Sequence, residues 1–313
     1  MEKKLISPLA SSLPRHPKLL VNRIAHNMLN ELRKMMGMLG ETASFVDFAN
    51  IEQIALASLC RVGRQIAAGE TMPWVRVKHS YDARPAEPID RYLRIGVFPT
   101  AANPFHWAHL LGGLLVMESF ALDKIIFVIA GKDSRKPDMA SEALRHAMAR
   151  SVLKLFRPLF EYSPIALGEA ASGEENLFNI LGMNPHQRIH AFYLAGGDHY
   201  HRYHPETGKP DTIQKLEEGI ARGLHGYDSL LHRVTAVFLE RGRLSEEIPT
   251  SLDVRWMPGL SVQTSSTAIR QTLSDQRSWQ NLTTLPFAAF FFIQKNRLYQ
   301  MKAVEEAAAL SAR

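Results

Sequence analysis

Two histidines stand three residues apart directly after a turn, a spacing that suits phosphate chemistry. His106 and His109 follow the apolar run 94–98, which is typical of a short buried strand. Their separation places both imidazoles on one face of a helix's first turn. We expect that helix to begin near Asn103, as N-cap, with Pro104 at its first position. Because imidazoles at a helix's positive end can hold phosphate oxygens, the stretch predicts a phosphate site, with a surface pair or two metal ligands as alternatives.

A run of hydroxyls near the carboxyl end offers a second anion site. Ser265, Ser266 and Thr267 stand at the start of the helical pattern 267–274, and consecutive hydroxyls are a strong helix-start signal. Their side chains and the free N–H groups of the first turn can surround an anion. Arg270 lies one turn further on, where its guanidinium can bind the same anion. A plain capped surface helix is the alternative.

A third motif joins two glycines to an acid. Gly196 and Gly197 follow the apolar run 191–195, and glycines at a strand end let a ligand approach the backbone. Asp198 comes next, and its carboxylate can bind ribose hydroxyls or Mg²⁺. An ordinary tight turn would also fit these residues. The histidine-rich run 199–204 allows a metal site, although an exposed polar loop is the preferred interpretation.

The elements that position these motifs alternate between strand and helix patterns beyond residue 91. This alternation predicts an α/β fold, with a doubly wound parallel sheet and helices on both faces. Ligands bind such sheets beyond the carboxyl ends of the strands, so the motifs and the run 131–136 should share one edge. The predicted strands are 94–98, 124–130, 191–195, 235–239 and 254–257, and the predicted helices are 107–121, 141–156, 175–182, 212–222 and 267–274.

The first part of the chain differs in character. Apolar residues recur at helical spacing over 16–39 and 44–68, and a proline-containing polar stretch follows over 71–91. We therefore predict a helical N-terminal extension and linker over 1–91 and a second domain over 92–313. The net charge of +6 is concentrated in this first part. Such a charge can attract nucleic acid or anionic lipid, but it is scattered, which favours a solvated helical surface.

Composition points to an ordinary globular protein. The 313 residues are 46% hydrophobic and 22% charged, and no apolar run has the length of a membrane span. The opening residues lack the apolar core of a secretory signal. The single cysteine, Cys60, excludes an internal disulfide, and its apolar surroundings predict a buried thiol. We expect a cytoplasmic protein without a membrane partner.

Together the motifs resemble the nucleotidyltransferase superfamily with HxGH and SSTxIR signatures, and most closely the bacterial nicotinate-mononucleotide adenylyltransferases. Residues 96–110 align without a gap to that family's opening, G-[LV]-F-G-G-[ST]-F-[DN]-P-x-H-x-G-H-L. The run 265–270 matches the serine motif at every defined position. Further likenesses are 196–198 to the family's G-x-D, Lys136 with 145–148 to its lysine and Arg-x-x-Met, and 286–299 to its closing signature.

The resemblance implies a Rossmann-like fold and transfer of AMP from ATP to a mononucleotide, nicotinate mononucleotide foremost, with release of pyrophosphate in NAD biosynthesis. His106, His109, Arg270 and Lys136 would be the catalytic residues. Mg²⁺ would accompany ATP, with Asp198 as its protein ligand. ATP and a mononucleotide would be the partners, nucleic acid is not expected, and a homo-oligomer is left open. The implied nucleotide-binding residues are Phe98, Thr100, Ala101, Asn103, Gly196, Gly197, Asp198, Ser265, Ser266 and Thr267.

Three departures from the family pattern leave alternatives open. Pro99 and Thr100 replace its paired glycines, and Ala108 replaces the glycine of HxGH. Pro99 has no N–H to offer a phosphate. The family's tryptophan after G-x-D is missing, so a tyrosine or histidine of 199–205 would stack on the pyridine ring. Alternatives are another acceptor (nicotinamide mononucleotide or phosphopantetheine), cytidylyl transfer from CTP, or a nucleotide-binding regulatory protein with little turnover.

Overall fold

The computed structural model describes residues 16–40, 45–81, 89–132, 139–240, 249–260, 265–275 and 280–299. Two long helices come first and are followed by alternating strands and helices. In chain order the elements are α1 (Pro17–Leu39), α2 (Phe45–Ala67), β1 (Leu93–Thr100), α3 (Trp107–Ser119), β2 (Lys124–Ile129), α4 (Glu142–Leu153), β3 (Phe160–Ser163), α5 (Gly173–Gly182), β4 (Ile189–Gly196), α6 (Gly197–Tyr200), α7 (Asp211–Ala221), β5 (His232–Leu239), β6 (Asp253–Met257), α8 (Ser266–Asp275) and α9 (Phe287–Lys295).

The strands form one parallel sheet in the order β3-β2-β1-β4-β5-β6, with an apolar core on each face. The predicted α/β fold is confirmed, and each of the five predicted strands is present. The edge strand β3 was not predicted. Its sequence, Phe-Glu-Tyr-Ser, is too short and too polar to show a strand pattern.

The sheet opens where its strand order reverses, between β1 and β4. β1 stays paired with β2 as far as Thr100 and Ile129, but its pairing with β4 stops at Val97 and Tyr193. Pro99 follows this last pair, and a proline cannot donate to a strand ladder. The carboxyl ends of β1 and β4 therefore separate at the switch point, where sheets of this kind bind ligands.

The N-terminal helices α1 and α2 share one continuous apolar core with α3, α4 and α9. The carboxylate of Glu31 accepts a hydrogen bond from the Ala288 N–H at 2.5 Å and so satisfies a free amide at the start of α9. The Thr283 hydroxyl donates to the Asp47 carboxylate at 3.0 Å. The two predicted helices are confirmed, while a domain boundary at residue 91 stays a prediction.

The segment 71–81, which follows α2, is hydrogen-bonded to the sheet. The Met72 N–H donates to Asp123 Oδ1 at 2.7 Å, just before β2, and His79 Nε2 lies 2.8 Å from Glu161 Oε2 on β3. Glu161 also accepts a hydrogen bond from Lys124 Nζ at 2.8 Å. Burial raises the pKa of Glu161, but Lys124 and His79 outweigh that effect and lower it to about 2. The predicted linker is thus bound to β2 and β3 by charged and polar groups.

Cys60 lies on the exposed face of α2, so the prediction of a buried thiol was wrong. The apolar run beside it follows the helical period, and the buried face of α2 includes Leu59 and Val62 but not Cys60. Within the described ranges, no helix is both long and apolar enough to cross a membrane.

Candidate active site

The histidine motif (96–110) and the serine motif (265–270), far apart in the chain, contact each other. Arg270 Nη1 donates to the Asn103 carbonyl at 2.7 Å, and Ser266 Oγ donates to the Pro104 carbonyl at 3.1 Å. The start of α8 therefore rests on the turn between β1 and α3. Because α3 also begins at this turn, the positive ends of two helices converge on one small region.

Helix α3 begins at Trp107 with His106 as its N-cap, so the prediction of Asn103 as N-cap was wrong. Asn103 is buried, and its amide oxygen accepts hydrogen bonds from the Ala140 N–H at 3.1 Å and the Tyr299 hydroxyl at 2.7 Å. Its side chain therefore holds the turn to the entry of α4 and to the end of α9. These partners are distant in the chain, which is why a local capping pattern did not reveal them.

The two histidines are linked to each other and to the turn. The His106 N–H donates to His109 Nδ1 at 3.3 Å, the ring centroids lie 3.9 Å apart, and His106 is buried. Because Nδ1 accepts, a neutral His109 carries its proton on Nε2, and this nitrogen lies 2.9 Å from Thr100 Oγ1. The same hydroxyl accepts the Ala102 N–H at 3.3 Å. Thr100, where the resembling family has glycine, thus orients His109.

Arg145 organises the carboxyl edge of the sheet. Its side chain is buried, at 1% exposure. In the sequence it was noted only as part of the Arg-x-x-Met likeness. The signal that could have found it is its spacing, because Arg145 falls on the same helical face as the apolar residues Met148, Ala149 and Val152. Its guanidinium ties together the loops after β1 and β2, which both reach the candidate site. The acceptors are the carbonyls of Ala140 (3.0 Å), Ala101 (2.8 Å), Ala130 (2.7 Å) and Gly131 (2.7 Å).

The remaining residues predicted to act in the site differ in how far they can reach a ligand. Ser265 Oγ accepts the Ala268 N–H at 3.1 Å and so caps α8. Thr267 Oγ1 accepts from Arg270 Nη2 at 3.3 Å. Phe98 packs into the apolar core and is 6% exposed, so only its backbone can face a ligand. Lys136 lies outside the described residues.

The glycine motif ends β4 and begins a short helix. Gly196 is the last residue of β4, and Gly197 is the first of α6. Asp198 is half exposed, and its carboxylate pairs with Arg202 at 3.1 Å. Its role toward ribose or Mg²⁺ stays a prediction. Among the residues whose placement is described, no group of three or more metal-ligating side chains is arranged to hold a metal.

One candidate for stacking on a pyridine ring is excluded. Tyr200 is 2% exposed, and its ring packs against Phe238 at 5.1 Å and Trp256 at 4.8 Å between centroids. It belongs to the apolar core and cannot take a substrate ring. Tyr203 is exposed and stays a candidate for stacking on the pyridine ring.

Comparison with known proteins points in the same direction as the geometry. A Mycobacterium avium protein described as a probable nicotinate-nucleotide adenylyltransferase is 24% identical over 200 residues, which is 63% of this chain and 88% of that protein. A Thermus thermophilus protein of the same description is 27% identical over 220 residues, 66% of this chain and all of that protein. The chain is a distant homologue of the bacterial nicotinate-nucleotide adenylyltransferases.

The homology to these adenylyltransferases leaves about a third of the chain unmatched. No family model matches the chain. Among solved structures, the Plasmodium falciparum nicotinic acid mononucleotide adenylyltransferase complexed with APC aligns with a TM-score of 0.48 and 13% identity, over 66% of this chain and 98% of that one. The α/β fold is read from the strand order of the sheet itself.

Proposed function

We propose that the protein transfers AMP from ATP to a mononucleotide and releases pyrophosphate, with nicotinate mononucleotide as the acceptor. The observation that carries this proposal is the contact between Arg270 and the Asn103 carbonyl. It joins the serine motif to the histidine motif, so that both can act on one triphosphate. The acceptor is suggested by the descriptions of the homologous proteins.

In this reaction a phosphate oxygen of the mononucleotide attacks the α-phosphorus of ATP. A new P–O bond forms as the bond to the bridging oxygen breaks, and pyrophosphate leaves with that electron pair. His109, at the start of α3, would stabilise the charge on the α-phosphate during the transfer. His106 is buried against it, with ring centroids 3.9 Å apart, and would hold His109 in place. Arg270 and the hydroxyls at the start of α8 would hold the β- and γ-phosphates. Catalysis then rests on positioning and charge neutralisation rather than on a covalent intermediate.

Mg²⁺ would enter with ATP. Mg²⁺ in nucleotide sites is usually held by one or two carboxylates together with the substrate phosphates, so a site with the single carboxylate of Asp198 fits that pattern. The ion would neutralise phosphate charge. To serve as a ligand, Asp198 would have to exchange its surface pair with Arg202, which is exposed and therefore weak.

A second candidate function is nucleotide binding without rapid turnover. The observation that favours it is the hydrogen bond between His109 Nε2 and the Thr100 hydroxyl. While this bond is intact, the Nε2–H of His109 cannot be donated to a phosphate. Pro99 also favours this alternative, because its missing N–H falls where β1 has parted from β4 and a phosphate could approach the backbone.

A pyrophosphate-release assay separates these functions. Purified protein is incubated with ATP and each of nicotinate mononucleotide, nicotinamide mononucleotide and phosphopantetheine, and CTP replaces ATP in a parallel series. We expect release with ATP and nicotinate mononucleotide. His109→Ala should abolish the release without unfolding the protein. His186→Ala should not, because this exposed histidine precedes β4 and so lies at the edge of the sheet opposite the motifs. ATP binding without pyrophosphate release from any pair would refute the transferase and support the binding protein.

A further inference from the structure

The chain that follows α9 reaches back to the histidine motif. Tyr299 donates from its hydroxyl to the amide oxygen of Asn103 at 2.7 Å. The backbone carbonyl of the same asparagine accepts Arg270 Nη1, also at 2.7 Å. One residue therefore receives Tyr299 through its side chain and the arginine of the serine motif through its backbone. Burial raises the pKa of Tyr299, and the nearby charges of Arg270 and Arg145 lower it only in part, so the hydroxyl stays a donor.

The backbone is strained on both sides of this hydrogen bond. Ala102, next to Asn103, has a φ of 50°, while Arg297 and Tyr299 have φ values of 52° and 60°. Among the described residues, five other than glycine have a positive φ, and these three lie within two residues of the bond's ends. Residues with side chains adopt this region at a cost, and such strain is concentrated where proteins clamp ligands. The strain therefore favours a functional role for the contact over incidental packing.

The amide oxygen of Asn103 depends on two donors. The Ala140 N–H lies 3.1 Å away, and the Tyr299 hydroxyl is the closer of the two. Because Asn103 is buried, water does not readily replace a donor that is lost. Without the hydroxyl, the side chain would retain only the longer of these bonds. The carbonyl that receives Arg270 would then be held less firmly.

We propose that Tyr299 is a positioning residue of the candidate active site: its hydroxyl fixes Asn103, and Asn103 in turn directs the guanidinium of Arg270 toward a triphosphate. This inference rests on the proposed function only in requiring that the site bind a triphosphate. It applies equally to a transferase and to a nucleotide-binding protein. Tyr299 acts through Asn103 and does not itself contact the ligand.

Tyr299→Phe tests the inference because it removes the hydroxyl and keeps the ring. Titration calorimetry on the full chain measures the binding of inorganic tripolyphosphate, which needs no acceptor. We expect the variant to bind about tenfold more weakly, the size of one charge-assisted hydrogen bond to phosphate. The matched control is Tyr227→Phe. Its hydroxyl donates to the His232 carbonyl at 3.1 Å, at the opposite edge of the sheet, so the affinity should not change.

Steady-state kinetics separate positioning from a loss of stability. Partial unfolding removes active molecules, so it lowers kcat and leaves both KM values unchanged. Tyr299→Phe should instead raise the KM for ATP and leave the KM for nicotinate mononucleotide unchanged. A fall in kcat alone would mean that Tyr299 only stabilises the fold, and the inference would be wrong.

A double-mutant cycle with Arg270→Ala shows whether Tyr299 acts through the guanidinium. At low ionic strength, where weak tripolyphosphate binding stays measurable, adding Tyr299→Phe to Arg270→Ala should cause no further loss of affinity. Additive losses, or an unchanged affinity in Tyr299→Phe alone, would overturn the inference and leave the transferase proposal standing. Tripolyphosphate binding without pyrophosphate release would refute the transferase alone. A wild-type protein that binds no tripolyphosphate would refute both.

Discussion

Arg145→Met tests whether one buried guanidinium holds the carboxyl edge of the sheet together. Methionine retains an unbranched stem but removes all four hydrogen bonds to backbone carbonyls. A buried carbonyl left without a donor costs about 1–3 kcal/mol, while relief of the arginine's own desolvation offsets several kcal/mol of the total. Four carbonyls at that cost amount to about 4–12 kcal/mol, and the offset leaves a loss of about 3–5 kcal/mol.

Urea unfolding followed by circular dichroism measures this loss. The free energy of unfolding should fall by the amount above, and the melting temperature by roughly 6–20 °C for a chain of this size. The control is Arg150→Met, an exposed arginine on the same helix, which should change stability by no more than about 0.5 kcal/mol. A loss below about 1 kcal/mol for Arg145→Met, with unchanged urea dependence, would show that Arg145 is not the organising contact described above.

Three further measurements probe other contacts. Thr100→Val removes the hydroxyl that competes for His109 Nε2 and should raise kcat/KM severalfold, up to about tenfold; a lower kcat/KM would mean that the hydroxyl assists the reaction. The folded-state pKa of Glu161 is lowered to about 2, so its contribution to stability is present above about pH 4.5 and is lost as the pH falls through 2. Glu161→Gln should flatten this part of a curve of unfolding free energy against pH, measured by denaturant titration. Gly173→Ala would place a Cβ 2.6 Å from a neighbouring side chain and should destabilise by about 1–3 kcal/mol in urea, whereas Gly37→Ala, on an open helix face, should stabilise by up to about 1 kcal/mol.

Patterns that repeat locally were sufficient to predict most of the fold. The apolar period located α1 and α2 within one or two residues, and the alternation of strand and helix predicted the parallel sheet. The contact between the serine and histidine motifs also follows from that sheet, since both precede helices at its carboxyl edge. The short strand β3 was not predicted because four residues are too few to show a period.

The features that could not be predicted are contacts between residues far apart in the chain. Asn103 has the residue type of a helix cap, but Ala140 and Tyr299 engage its side chain instead. Arg145 acts through carbonyl groups, and no side-chain pattern marks those.

The bond between Arg270 and Asn103 spans 167 residues, and the one between Ala288 and Glu31 spans 257. During synthesis, therefore, the nascent chain can build most of its sheet before either contact exists. Helices α1 and α2 are made before the sheet but receive α9 only after all six strands of the sheet have been made. A message truncated upstream of α8 would yield a sheet with an exposed apolar face and no serine motif, and such a product is prone to aggregation and proteolysis.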